Sequence, residues 1–358
     1  MSMELRLGVR PVGGNNPLYV VFEAGPTHSG LATAIQLVDV AAAAGADAIK
    51  FQIVDAERLI PDPNVLFTYE VLLDRATGTR ETVRESLQAI LKRRELTRQE
   101  WRELAAYSHS KGIAFFATAT DEDAMQLLAD IGADTIKIAS GDINYHQFLQ
   151  RAAQYPWIVQ IDNGSSTLGE IEEAVRVLEE AGCRKIIINH CPSGYPAHLE
   201  SIHLRVIGTL RQMFPYPVAF SDHTPGADMD IAALALGAAM IEKTITLDRT
   251  IRSPEHIMSL EPHEAAGFVQ TLRDMEIALG SPRRSMGDEE RKRRLVARRS
   301  VILTTQARKG QKLEDLAVSF QRPGDGLAPD LFAKLGACRV RADLPAGHKL
   351  RLTDLDSE

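Results

Sequence analysis

A chain of 358 residues exceeds one ordinary domain of roughly 100–200 residues and fits an α/β barrel of about 250 plus a module of about 60. Apolar residues make up 44% and charged residues 25%, a globular balance, and the net charge of −7 gives no reason to expect a nucleic-acid partner. No apolar run approaches the ~18–20 residues of a membrane span and Met1–Pro17 holds no signal-peptide core, so the expected location is the cytoplasm.

Short β-rich runs alternate with helical patterns from residue 18 to about 280. The predicted strands are Tyr19–Ala24, Ala48–Gln52, Ala114–Thr118, Thr135–Ala139, Ile158–Ile161, Lys185–His190, Val218–Ser221 and Met240–Lys243. Most are near-continuous apolar runs, as expected of parallel strands covered on both faces. Helical spacing marks Leu31–Ala44, Thr97–Lys111, Glu122–Ile131, Leu168–Ala181 and His263–Leu279, with Thr97 and Glu100 forming a capping box. Gly45, Gly132 and Gly182 follow helix ends as αβ turns. Eight β/α alternations in one stretch predict a closed (β/α)₈ TIM barrel over residues 1–282. No GxGxxG follows the first strand, which weakens a dinucleotide-binding reading. The long connection 53–96 holds Pro61, Pro63 and an expected extra helix around Val83–Arg93, and insertions at this barrel end build substrate sites. Residues 283–299 form an Arg-rich stretch read as a basic linker, and 300–358 form a small β-rich domain with turns at Pro323-Gly324 and Ala346-Gly347.

Barrel chemistry sits at the C-terminal strand ends. Lys50 and Lys137 lie in apolar strands, where a cation is costly unless something negative meets it. With the hydroxyls of Thr118, Ser140 and Ser221 they suit a phosphate or carboxylate; the alternative is that each lysine pairs with a neighbouring carboxylate. Glu23 and Asp142, with Glu242 on the eighth strand, are candidate catalytic carboxylates, holding substrate hydroxyls or moving a proton, or else neutralising the lysines. His28, His190 and His223 offer imidazoles, and His223, in Ser221-Asp222-His223-Thr224, is the best metal-ligand candidate. His203 and His263 read as surface residues. Cys183, Cys191 and Cys338 are widely spaced with no CxxC, which argues against a disulfide framework or zinc knuckle.

These strand ends resemble the sialic acid synthase family of N-acetylneuraminate, legionaminate and pseudaminate synthases. The matching pieces are Glu23-Ala24-Gly25 with His28, Gly45 to Gln52, Lys137-Ile138-Ala139-Ser140-Gly141, His190-Cys191 with Tyr195-Pro196, and Ser221 to Thr224. Ile241-Glu242-Lys243, Thr246 to Arg249, Pro254-Glu255-His256 and Ser259 to Pro262 continue the likeness, which runs through Val296 to Ser300 and Arg322-Pro323-Gly324. The resemblance implies condensation of phosphoenolpyruvate with an open-chain 2-acetamido sugar aldehyde, giving a nonulosonic acid and phosphate. By matched position, Lys50, Thr118, Lys137, Ser140 and Ser221 hold phosphoenolpyruvate. Gln52, Tyr195, Glu255 and Arg322 lie with Glu23 and Asp142 around the sugar or the attacking water. His223 ligates a divalent metal, Mn²⁺ or Mg²⁺, that polarises the aldehyde. The C-terminal region is similar to the antifreeze-like domain of these synthases, which in the family crosses to the partner's barrel in a homodimer, with Arg322 its reaching arginine.

Four positions depart from the pattern. Thr244 stands where the family has the second metal-binding histidine, and Asp162-Asn163-Gly164 replaces Ser-Thr-Gly, placing a carboxylate where a hydroxyl meets phosphate. Asp142 is one carbon shorter than the usual glutamate, and Ser193 replaces a larger amide. Three explanations compete: a metal site rebuilt from Asp162 and His223, a metal-free synthase, or a diverged paralogue. Two rival classes remain, a Schiff-base aldolase using Lys50 or Lys137 and a non-catalytic sugar- or partner-binding protein. The favoured expectation is a divergent synthase acting on small molecules, with no nucleic-acid or membrane partner.

Overall fold

The computed structural model describes residues 2–356. The N-terminal segment folds as an antiparallel hairpin, β1 (Glu4–Leu7) and β2 (Arg10–Gly13). Then follow β3 (Tyr19–Glu23), β4 (Ala48–Ile53), a second hairpin of β5 (Leu66–Asp74) and β6 (Thr79–Ser86), and β7 (Ala114–Ala119). The remaining strands of this unit are β8 (Thr135–Ile138), β9 (Ile158–Asp162), β10 (Ile186–His190), β11 (Val218–Asp222) and β12 (Met240–Thr244). Strands β3, β4 and β7 to β12 pair in parallel and close into a barrel in the order β10-β11-β12-β3-β4-β7-β8-β9. This is the TIM barrel that the alternation predicts, and each strand end lies within one residue of its expected place.

Side chains on a strand alternate between faces, so each barrel strand splits into an outward and an inward set. Outward residues such as Val20, Phe22, Ile49, Phe51, Phe115, Val159 and Phe220 join the main apolar core against the helices. Inward residues stack in layers. The lower layer is apolar on seven strands, with Tyr19 and Val21, Ala48, Phe116, Ile158, Ile187, Ala219 and Met240, and has Thr135 on β8; Leu5, Leu7 and Val12 of the first hairpin close it from below. The next inward position on each strand is polar: Glu23, Lys50, Thr118, Lys137, Gln160, Asn189, Ser221 and Glu242, all buried. A change from apolar to polar at one step of the same alternation is what builds the site floor.

Thr97 and Thr167 cap their helices with complete capping boxes, and Gly45 and Gly132 end theirs in left-handed conformations at φ 80° and 79°. The connection 53–96 differs from expectation. Val83–Ser86 belongs to β6, and the helix starts only at Leu87, running to Lys92 with Ser86 as its N-cap. Here Val83 is buried between exposed Thr82 and Arg84, and pairing with β5, Tyr69 opposite Val83, holds the segment as strand.

By chain contacts the protein divides into residues 1–280 and 281–358. In the second unit, the stretch expected to be a basic linker carries a helix, Asp288–Ala297. Its first turn holds Asp288, Glu289 and Glu290 and its last Arg294, an order that suits the helix dipole. Two of the arginines are met locally, Arg284 by Glu290 and Arg291 by Asp288. Strands β13 (Ser300–Leu303) and β14 (Val318–Gln321) pair antiparallel, as do β15 (Arg339–Val340) and β16 (Leu355–Asp356). Val301, Leu303, Leu313, Val340 and Leu350 lie in this unit's own core. Among the described residues no helix is long and apolar enough to cross a membrane.

Candidate active site

At the C-terminal mouth of the barrel lies a cavity of about 490 Å³. It is lined by thirteen of the fourteen residues to which the sequence assigns a catalytic, substrate-binding or metal role: Glu23, Lys50, Gln52, Thr118, Lys137, Ser140, Asp142, Asp162, Tyr195, Ser221, His223, Glu242 and Glu255. The fourteenth, Arg322, is exposed in the second unit. His28 and His190 do not line it. His28 is buried edge-on to Phe51 and Trp101, and His190 Nε2 meets the Ile202 carbonyl at 2.6 Å. His203 and His263 are exposed, as expected.

The floor is a network of buried charges. Lys50 contacts Glu23 and lies 3.2 Å from Glu242 Oε1, donating also to Thr118 Oγ1 at 3.3 Å. Lys137 donates to Glu242 Oε1 at 2.7 Å and Ser221 Oγ at 3.3 Å, and its ammonium lies 3.0 Å from Asp162 Oδ2. Ser221 Oγ donates to the same Glu242 oxygen at 3.0 Å. Glu242 is therefore the shared counter-ion of both lysines. Burial alone would raise its pKa, but the two ammonium charges and these hydrogen bonds hold it at about 2. Burial would likewise lower both lysines, and their carboxylate neighbours overcome it and push them up. A Schiff-base nucleophile needs the opposite shift. Burial raises Glu23, with Lys50 offsetting only part of it, and raises Asp142.

Both earlier readings of the lysines meet here: they pair with carboxylates, and they line an open cavity with three hydroxyls. Asp162 Oδ1 and Glu242 Oε2 are buried without partners, so the network keeps unspent acceptor capacity. Close approach is built into the backbone. A Cβ on Gly25 would lie 2.6 Å from Glu23 Oε1 and from Gln52 Cγ.

The donors around His223 do not make a site for a first-row divalent metal. His223 Nδ1 lies 3.1 Å from the Pro192 carbonyl, leaving Nε2 as its one ligand atom. Thr244 offers a hydroxyl in place of an imidazole. Asp162 already carries the Lys137 ammonium, and a second cation there would be repelled. Among the described residues, neither His223 nor Asp162 belongs to a cluster of three converging His, Cys, Asp or Glu ligands. The one such cluster, Glu261, His263 and Glu264, lies elsewhere, with Arg75 and Arg249 on its carboxylates.

Two features escaped the sequence reading. Arg94, at the end of the insert, is buried and lines the cavity, though Arg93-Arg94 in a basic helical stretch reads as surface. Lys243 points away from the cavity, contacts Asp222, and donates to Asp230 at 3.1 Å and to the Thr224 carbonyl at 2.6 Å. It thereby pins the residues on either side of His223. Its signal was the acidic partner Asp222, directly opposite on the neighbouring strand but twenty-one residues away in sequence.

Residues 37–284 match the NeuB family model. The chain belongs to the NeuB family. It is a divergent member of the sialic acid synthase group that carries this domain. It is 31% identical to the N,N'-diacetyllegionaminic acid synthase of Legionella pneumophila over 96% of both chains. With human N-acetylneuraminate-9-phosphate synthase it shares 31% identity, covering 80% of this chain and 78% of that one. Among solved structures it is similar to the N-acetylneuraminic acid synthetase of Leptospira borgpetersenii, with a TM-score of 0.71 and 32% identity, covering 82% of this chain and 95% of the other. In this NeuB-family chain, the departures at Asp162 and Thr244 thus stand on strand ends whose fold is shared.

Proposed function

We propose that this protein condenses phosphoenolpyruvate with a 2-acetamido sugar aldehyde, releasing phosphate and forming a nonulosonic acid. The observation that carries the reading is the pair of protonated lysines, Lys50 and Lys137, fixed at the cavity floor with Thr118, Ser140 and Ser221 beside them. NeuB-family membership and relatives named as synthases of such acids support the same reaction class.

In this reading the lysines and hydroxyls bind the phosphate and carboxylate of phosphoenolpyruvate through charge-assisted hydrogen bonds. C3 attacks the aldehyde carbon, forming the C–C bond, and the aldehyde oxygen takes a proton. Water then adds at C2 and gives up one proton; as the C2–O bond to phosphate breaks, the new C2 hydroxyl becomes the keto group and its remaining proton leaves with the phosphate. Burial pushes the carboxyls of Glu23 and Asp142 up, the direction that suits groups passing protons, with Glu23 placed for the aldehyde oxygen and Asp142, at the rim, for the water. Gln52, Tyr195 and Glu255 line the sugar end. No step passes through a metal, because the His223 surroundings do not fit one.

The test is phosphate release from phosphoenolpyruvate over a panel of 2-acetamido and dideoxy hexoses, with EDTA and with added Mn²⁺. Sugar-dependent release that survives EDTA is expected. Release only with Mn²⁺ would overturn the metal-free part. No release from any aldose, with phosphoenolpyruvate still bound, would overturn the synthase reading in favour of a non-catalytic binder.

A further inference from the structure

Arg94 has no side-chain partner that accounts for its burial. It is 5% exposed, its Nε is buried with no hydrogen bond, and Nη2 reaches Ser253 Oγ only at 3.5 Å. No carboxylate forms an ion pair with it among the described residues. An isolated buried guanidinium is costly, so it is retained where a ligand completes its hydrogen bonds.

Glu255 lines the same cavity, is 9% exposed, and its carboxylate also makes no hydrogen bond among the described residues. Of the opposite charges around each of these two, the other acts most strongly, yet they do not touch. Glu255 also holds a left-handed backbone at φ 77°, strained for a residue with a side chain. Strain of this kind is concentrated at ligand clamps, and here the Ser259 hydroxyl helps fix it, donating to the Glu255 carbonyl at 2.6 Å.

We infer that Arg94 and Glu255 form a two-pronged subsite for a neutral group of the acceptor that presents a hydrogen-bond acceptor next to a donor. An N-acylamino group has this form: its carbonyl accepts from the guanidinium and its N–H donates to the carboxylate. A pair of adjacent hydroxyls offers the same pattern. A neutral guest spans the two groups without adding charge beside Glu255, whose carboxyl burial pushes up to about 7 despite Arg94 and which an anion would push higher still. Arg94 thus determines specificity from the insert, on the sugar side of the cavity and apart from the lysine floor.

The inference rests on the synthase reading, and one kinetic experiment separates the two. KM for phosphoenolpyruvate and for the acceptor found by the sugar panel is measured in the wild type, Arg94→Met, Arg94→Lys and Glu255→Gln. The same is done with that acceptor's counterpart carrying hydroxyl in place of acylamino. Arg94→Met is expected to raise the acceptor KM about 10–100-fold and leave the phosphoenolpyruvate KM within about twofold. Arg94→Lys keeps the charge without the planar fork and should fall between. A loss confined to the acylamino acceptor identifies the amide as guest; an equal loss with both acceptors identifies the hydroxyl pair. An unchanged acceptor KM in Arg94→Met and Arg94→Lys, or an equal rise in both KM values, overturns the subsite. A wild type inactive with every acceptor overturns the synthase reading itself. If Arg94→Met does not fold, the split in Arg94→Lys decides.

Discussion

Asp162 shows most clearly how one residue can be read from sequence and still act in two directions. Its carboxylate supports Lys137 at 3.0 Å and leaves its other oxygen buried and free, on the floor proposed to take phosphate. Glu242 and Asp162 both meet the Lys137 ammonium, so an incoming polyanion competes with carboxylates already seated on that cation. Asp162→Ser removes one carboxylate and restores a hydroxyl that can donate. The expected outcome is a phosphoenolpyruvate KM lowered about 3–10-fold, read in steady-state phosphate release, since one unbalanced charge is worth on the order of 1 kcal/mol in a partly wet site. A raised KM would mean that Asp162 holds Lys137 in place more than it repels substrate. Most of the floor was legible because lysines inside apolar strands stand out and strand ends fix their height. Arg94 was not, since its burial depends on how the insert folds over the mouth, which no local pattern records.

At the scale of elements, the eight barrel strands were legible because both faces are covered and their runs are apolar. Helix ends were legible through Thr97, Gly45 and Gly132. The two hairpins were not. β1 and β2 are four residues each with one or two apolar residues, and β5–β6 alternates too weakly to separate from a helix over Val83–Arg93. Yet the first hairpin has a definite task, since Leu7 is fully buried under the lower inward layer. Leu7→Ala should cost about 2–5 kcal/mol of unfolding free energy, measured by urea denaturation, through lost burial and the cavity left behind. The phosphoenolpyruvate KM should hold, because the polar layer sits one step above on each strand. A KM that rose with little loss of stability would show that the barrel bottom sets the geometry of the site.

For the molecule as a whole, the resemblance implies a homodimer in which Arg322 of each chain serves the partner's barrel, and complementation tests this directly. Arg322→Ala leaves the barrel whole and removes the reaching arginine. Lys137→Arg disables the floor while keeping the cation that Glu242 and Asp162 require, so the fold is spared the loss of a buried ion-pair partner. Each variant alone is expected to be nearly inactive. When the two are co-expressed at equal amounts, half of the dimers are mixed, and each mixed dimer joins one intact barrel to one intact Arg322. Activity should then recover to roughly a quarter of the wild-type rate if the arginine acts across the interface. If Arg322 serves its own barrel, no combination rebuilds a complete site and the mixture stays as inactive as its parts. An active Arg322→Ala protein would remove the arginine from the site altogether, leaving acceptor recognition to residues of the barrel itself, with Arg94 and Glu255 foremost among them.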